Sequence, residues 1–250
     1  TSFDSPEAFE EIIWLAYLRK NILRSDRLSP LTSGDINAEF IARMRASIQK
    51  LVYLSNKGKE STTLPRYISK NNANISRLQV LTELFPNSAI IVPFRNPLAH
   101  ATSLLKQHER FSIEHRKDRF TRNYMKWLGH YEFGENFRPI DFDGWLDDIE
   151  TPEPMDVDFW LMYWTAAYRY VLTNSTDQIM LVDFDQLLAN GEATLRRVAD
   201  RVVLDDKSIF IQGKDVLRAP TTAALKSTIG SHHIWSAAQE LHSELKQQAI

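Results

Sequence analysis

Apolar residues recur at helical spacing from the start of the chain. Over residues 6–25, Phe9, Ile12, Ile13, Ala16 and Leu23 share a face, and Pro6 suits a first helical position. A second helix is expected over 36–55, with Ile36, Phe40, Met44, Ile48 and Leu51 on one side and Arg43, Arg45 and Lys50 elsewhere. Three short runs then break that period: Arg66-Tyr67-Ile68-Ser69, Ala89 to Phe94, and Ile179 to Phe184. The second and third are nearly continuous apolar runs, the pattern of strands covered on both faces of a parallel sheet. Helical patterns over about 74–85, 97–109, 115–131 and 156–173 separate the runs, and further helices follow the third, the last over 234–248. Alternating strands and helices predict a helix-rich α/β fold, a parallel sheet flanked by helices. No repeat, low-complexity tract or long linker divides the chain, so residues 1–250 are expected to form a single domain.

Residues 132–156 are the least regular segment, and aromatic residues crowd the stretch around it: Trp127, Tyr131, Phe133, Phe137, Trp145, Trp160, Tyr163 and Trp164. Two readings stand side by side, a packed core with an ordered loop, or the wall of an acceptor pocket.

Composition narrows the function classes. In 250 residues, 43% are hydrophobic and 25% charged, ordinary values for a globular protein. The net charge of −2 offers no global field for a polyanion, so nucleic acid is not an expected partner. Without cysteine there is no disulfide, thiolate metal site or cysteine nucleophile. The chain has neither an 18-residue apolar run nor a signal peptide, so it is expected to be soluble and cytoplasmic, with no membrane span. His100, His108, His115, His130, His232, His233 and His242 are scattered, and no metal site is expected.

The informative window begins at Lys70-Asn71-Asn72-Ala73-Asn74-Ile75-Ser76-Arg77 and continues through Leu84-Phe85-Pro86-Asn87 to Arg95-Asn96-Pro97 and Ser103. Ligands of open parallel sheets sit beyond the carboxyl ends of the strands. Lys70 and Arg95 each follow a predicted strand, so neighbouring strands would bring two cations to one crevice, where an anion is the natural guest. Asn96 is a good N-cap and Pro97 a good first helical residue, and the helix start they define also favours negative charge. Ser103 lies roughly 9 Å further along that helix at about 1.5 Å per residue. Arg95 can swing along it and meet the serine hydroxyl over one phosphate group.

This order of residues resembles the PAPS-dependent sulfotransferase family, which moves a sulfuryl group from 3′-phosphoadenosine 5′-phosphosulfate (PAPS) to an alcohol, phenol or amine. The likeness is to the branch that includes carbohydrate and tyrosylprotein sulfotransferases. The resemblance implies a P-loop-NTPase-like fold and assigns Arg95 and Ser103 to the 3′-phosphate. It gives Lys70 the charge growing on the bridging oxygen, and PAPS is the implied co-substrate, with no metal. The run Leu181-Val182-Asp183-Phe184-Asp185-Gln186 resembles the family's later strand and acidic turn. A small-molecule or glycan acceptor carrying a hydroxyl, a sugar, phenol or lipid alcohol, is implied, and the oligomeric state is left open.

Two features depart from the family pattern. The Gly-rich loop that holds the 5′-phosphosulfate is absent from the sequence, and the start at Thr1, close to a helix, leads us to expect a domain that lacks its N-terminal strand and loop, whether truncated or lost. The basic loop that closes over the 3′-phosphate has only a partial counterpart in Lys226 to His233, where Ser227 and His233 offer donors and Gly230 backbone freedom. A general base is still required. His130 and Glu132, inside the aromatic segment, are the candidates. The alternative to an active enzyme is a noncatalytic, degenerate nucleotide-binding or interaction protein of the same fold. A nucleotide kinase is disfavoured, because it needs a phosphate-loop lysine and a magnesium carboxylate.

Overall fold

Hydrophobic periodicity, capping residues and one pair of apolar strands organise the chain, whose computed structural model describes residues 10–57, 65–147, 153–218 and 231–250. Helices α1 (Glu10–Ile22), α2 (Ala38–Asn56) and α3 (Leu78–Leu84) precede strand β1 (Ile90–Phe94). Then come α4 (Pro97–Lys117), α5 (Arg119–Trp127) and α6 (Val157–Thr173), followed by β2 (Ile179–Asp183). Helices α7 (Phe184–Ala189), α8 (Gly191–Arg201), α9 (Ser208–Gln212) and α10 (His232–Gln248) complete the order. The fold is helix-rich with a small parallel sheet, as the alternation predicted. Among the described residues no helix is long and apolar enough to cross a membrane.

The chain divides into two compact units. The first comprises residues 1–86 and 114–141. Its core gathers Trp14, Leu18, Ile22, Leu31, Phe40, Met44, Val80 and Leu84. Asn37 caps α2 by accepting the Phe40 N–H at 2.9 Å. Arg45 of α2 donates twice to the Leu84 carbonyl, satisfying an orphan acceptor at the end of α3. The apolar stripe predicted for α2 is buried only at its start: Phe40 and Met44 enter the core, whereas Leu51 is exposed.

The second unit comprises residues 87–113 and 142–250. Its sheet pairs β1 with β2 in parallel, in register from Ile90 opposite Ile179 to Phe94 opposite Asp183. Strand β2 is buried throughout, as its continuous apolar run predicted. Strand β1, unlike β2, is covered on one face only, with Val92 and Phe94 buried and Ile91 exposed, so the two-sided burial expected of its apolar run does not hold. Helix α10 packs on α6 through Ile234, Ala238, Leu241 and Leu245, spaced at three- and four-residue intervals. Helix α6 is nearly apolar all round and supplies Phe159, Trp160, Trp164, Tyr168 and Val171 to the core.

Three expectations change. Residues 66–69 form no strand: Tyr67 and Ser69, two apart, both donate hydroxyls to the Glu10 carboxylate, and Ile68 between them is 89% exposed. The helices expected over 97–109 and 115–131 are instead α4 and α5, divided at Asp118, which caps α5 by accepting the Phe120 N–H at 2.8 Å. Most aromatics of the 124–170 stretch are core rather than pocket wall. In the second unit Trp145 stacks on Tyr163 with centroids 5.5 Å apart, and Phe142 lies 5.1 Å from Tyr170.

Candidate functional site

The register of the sheet decides what meets at its carboxyl edge. Phe94 faces Asp183 across the ladder, so Arg95 and the Asp183–Asp185 turn emerge side by side. Asn96 caps α4 as its sequence context predicted, Oδ1 accepting the Ala99 N–H at 3.1 Å. Asp183 caps α7 in the same way, accepting the N–H groups of Asp185 at 2.9 Å and Gln186 at 3.3 Å. The Asp185 carboxylate then accepts the Asn96 N–H at 3.2 Å, tying the two helix starts together.

Arg95 lies along the first turn of α4. Its Nη2 donates to the Ala99 carbonyl at 3.1 Å, the carbonyl that the Ser103 N–H addresses in an α-helical ladder. Ala99 and Ser103 are four residues apart and share a helix face, so the guanidinium is held on the side of α4 that carries the exposed Ser103. Burial pulls the Arg95 guanidinium below its ordinary value, opposed by Asp185 and by Tyr168. Beneath it, the Tyr168 hydroxyl donates to the Pro93 carbonyl at 2.7 Å, and burial raises its pKa. His100 packs against Tyr168 and is pushed down to about 4, first by burial and then by the Arg95 charge, so it is neutral.

Three amides of this helix start are already engaged. Pro97 has no N–H, Ala99 donates to Asn96 Oδ1, His100 to the Asn96 carbonyl, and Asn96 to Asp185. Asp185 thus brings negative charge of its own to the start of α4, beside the Arg95 guanidinium. Asp183, 2% exposed, leaves Oδ2 without a hydrogen bond, 3.9 Å from Lys246 Nζ. The His242 ring stands edge-on to Phe94 and Trp164, its Nε2 also unbonded, and burial lowers its pKa. Asp183, Asp185, His100, Tyr168 and His242 are site-forming residues that sequence reasoning did not assign. An aspartate closing an apolar strand just before a helix is the signal that marks Asp183 as a cap.

The other candidates fall in different places. His233 sits in the first turn of α10, exposed, with Nδ1 2.7 Å from Ser231 Oγ. Ser227 and Gly230 lie outside the described residues. Lys70, His130 and Glu132 belong to the first unit. Lys70 is exposed in an irregular segment rather than at a strand end. His130 Nδ1 is 3.6 Å from Glu132 Oε2, both side chains partly exposed.

The segments carrying Lys70 and His130 meet one residue that the sequence did not single out. Glu11 accepts from Asn71 Nδ2 at 3.0 Å and, in a two-pronged pair, from Arg77 at 2.8 and 2.6 Å. Arg77, 1% exposed, also lies over the Trp14 ring at 4.6 Å. Gly129, next to His130, backs onto the same Glu11. It has φ +84°, and a Cβ there would fall 2.7 Å from Glu11 Cγ and 2.6 Å from Leu15 Cδ1. Glu11 thus bonds the residue after Lys70 and lies close against the residue before His130.

Among the described residues no group of three or more His, Asp or Glu is placed to hold a metal. No protein-family model, no curated protein and no solved structure matches this chain.

Proposed function

We propose that the protein is a PAPS-dependent sulfotransferase with a P-loop-NTPase-like fold, acting on a hydroxyl acceptor. The observation that carries this reading is the half-buried Arg95 guanidinium at the carboxyl edge of a parallel sheet, lying along α4 on the face of Ser103. A phosphate group fits that pair: the planar guanidinium donates to two oxygens at once, and the hydroxyl takes a third.

In the proposed reaction the acceptor oxygen attacks sulfur and the bond from sulfur to the bridging oxygen breaks. The electron pair stays on the phosphate of the departing 3′,5′-ADP, and the acceptor proton passes to a base. Arg95 and Ser103 bind the 3′-phosphate, with Ser227, Gly230 and His233 as further contributors. Lys70 neutralises the leaving oxygen, and His130 with Glu132 takes the proton. Positioning and charge stabilisation supply the catalysis, and no metal takes part.

Asp185 favours a second reading. A carboxylate already meets the start of α4 and opposes the Arg95 charge, an arrangement that holds two strand ends together without any ligand. This is the noncatalytic alternative, an interaction protein of the same fold.

Calorimetric titration separates the two. We expect micromolar binding of 3′,5′-ADP, much weaker binding of 5′-AMP, and a loss of about ten- to a hundredfold in the Arg95→Ala protein. Equal affinity for both nucleotides, or no effect of the substitution, overturns the 3′-phosphate site, and no binding of either nucleotide favours the noncatalytic reading.

A further inference from the structure

Helix α5 buries none of its nine residues, yet three of them are aromatic. Phe120 is 67% exposed, Tyr124 43% and Trp127 68%. At 100° per residue these positions fall within an arc of about 60°. The Phe120 and Tyr124 rings stack, 6.0 Å apart and 15° from parallel, forming one ridge rather than separate side chains.

The opposite side of α5 is what ties it down. Met125, about 140° around from Phe120, places its sulfur 3.2 Å from the buried His115 Nε2, and the Arg122 carbonyl accepts from Asn136 Nδ2 at 2.7 Å. The ridge therefore faces outward by construction of the fold.

Charge completes the pattern. The helix carries Arg119, Arg122 and Lys126 with no Asp or Glu, and Lys117 precedes it. Arg119, Lys126 and Lys117 are exposed. On the helical wheel Arg119 and Lys126 lie about 100–120° from Phe120, along one flank of the ridge. Asp118, just before the helix, is spent on capping the Phe120 N–H and receiving the Thr121 hydroxyl at 2.5 Å, and Glu135, in the turn bonded to the anchored side of α5, lies beside His115 and 3.7 Å from Arg116. Cations thus concentrate beside an apolar ridge, in a chain whose net charge is −2.

We infer that α5 docks the protein on an anionic lipid surface. Phe120, Tyr124 and Trp127 enter the boundary between headgroups and acyl chains, and Lys117, Arg119 and Lys126 meet the lipid phosphates. A helix with Trp and Phe on one face and cations at the waterline suits the interface plane, whereas a protein partner would need carboxylates arrayed beside an apolar groove. The docking is peripheral and adds an activity that the nucleotide edge of the second unit does not supply.

The test uses the full chain and vesicles of phosphatidylcholine, alone or mixed with phosphatidylglycerol. Co-sedimentation is expected with the mixed vesicles, declining as salt is raised. Phe120→Ser with Trp127→Ser should weaken it at least about tenfold, the effect of removing two interfacial rings. Arg119→Gln with Lys126→Gln should abolish the preference for the anionic mixture. Because the chain has no cysteine, Asn123→Cys takes a single environment-sensitive dye beside the ridge, whose emission should shift to the blue on the mixed vesicles. Absence of sedimentation and of the dye shift overturns the inference, as does undiminished binding by the ring variant. A dimer in sedimentation velocity that the ring variant dissociates, without vesicle binding, reassigns the ridge to self-association and overturns it equally.

Discussion

His100 reports the state of the Arg95 edge. Its imidazole is held neutral by burial and by the adjacent guanidinium, with a pKa of about 4 against an ordinary 6.5. The native protein therefore binds fewer protons than the unfolded chain between those values. Stability from this group is fully present above pH 6.5 and declines as pH falls toward 4, by up to about 3 kcal/mol. The groups that bear on the ring are Arg95, which lowers its pKa, and Tyr168 packed against it. Arg95→Ala removes a positive neighbour, so the His100 titration followed by NMR should move upward. In the parent protein, an anion neutralising Arg95 should move it the same way, which makes the imidazole a binding signal independent of turnover. An unchanged His100 titration in the Arg95→Ala protein would show that burial alone sets it.

Between elements, the Glu11–Arg77 pair links α1 to the segment ahead of α3 from inside the core of the first unit. Breaking one partner leaves the other charge buried, a cost of about 3–5 kcal/mol, whereas replacing both with apolar side chains costs far less. In urea denaturation Arg77→Met should be severely destabilising, and Glu11→Leu with Arg77→Met should recover most of the loss. Additive losses would instead mean that packing over Trp14 is the larger contribution. The elements also show what a sequence reveals. Long periodic segments and the apolar run of β2 were legible, because periodicity and burial are the same physical fact. The cap at Asn96 was equally local. The extended run at 66–69 misled because its alternation reflects two hydroxyls reaching Glu10, 57 and 59 residues away, a contact that no local pattern encodes. The break between the helices expected over 97–109 and 115–131 falls later, at Asp118, because α4 continues through 110–117 and the capping carboxylate sets where α5 begins.

At the scale of the molecule, the candidate residues sort by unit. Arg95, Ser103 and His233 lie in the second, and Lys70, His130 and Glu132 in the first. Adjacency of Arg95 to a strand end was readable from an apolar run followed by Arg-Asn-Pro, whereas the opposing Asp185 was not, since it depends on which strand lies alongside. The division has an experimental consequence for the proposed reaction. Lys70 is exposed, in an irregular segment held by its neighbours Ser69 and Asn71, so truncating it removes a charge without disturbing the contacts of either unit. A lysine that neutralises the leaving oxygen acts on charge that develops during transfer, and its loss belongs to turnover rather than to ground-state nucleotide binding. With an acceptor panel and PAPS, Lys70→Ala should lose at least about a hundredfold in the rate of 3′,5′-ADP release. Calorimetric affinity for 3′,5′-ADP should stay within about twofold of the parent. Arg95→Ala should show the reverse emphasis, weakened binding before any effect on the chemical step. Undiminished release by the Lys70→Ala protein would remove Lys70 from the mechanism, and a parallel fall in both quantities would reassign it to holding the nucleotide.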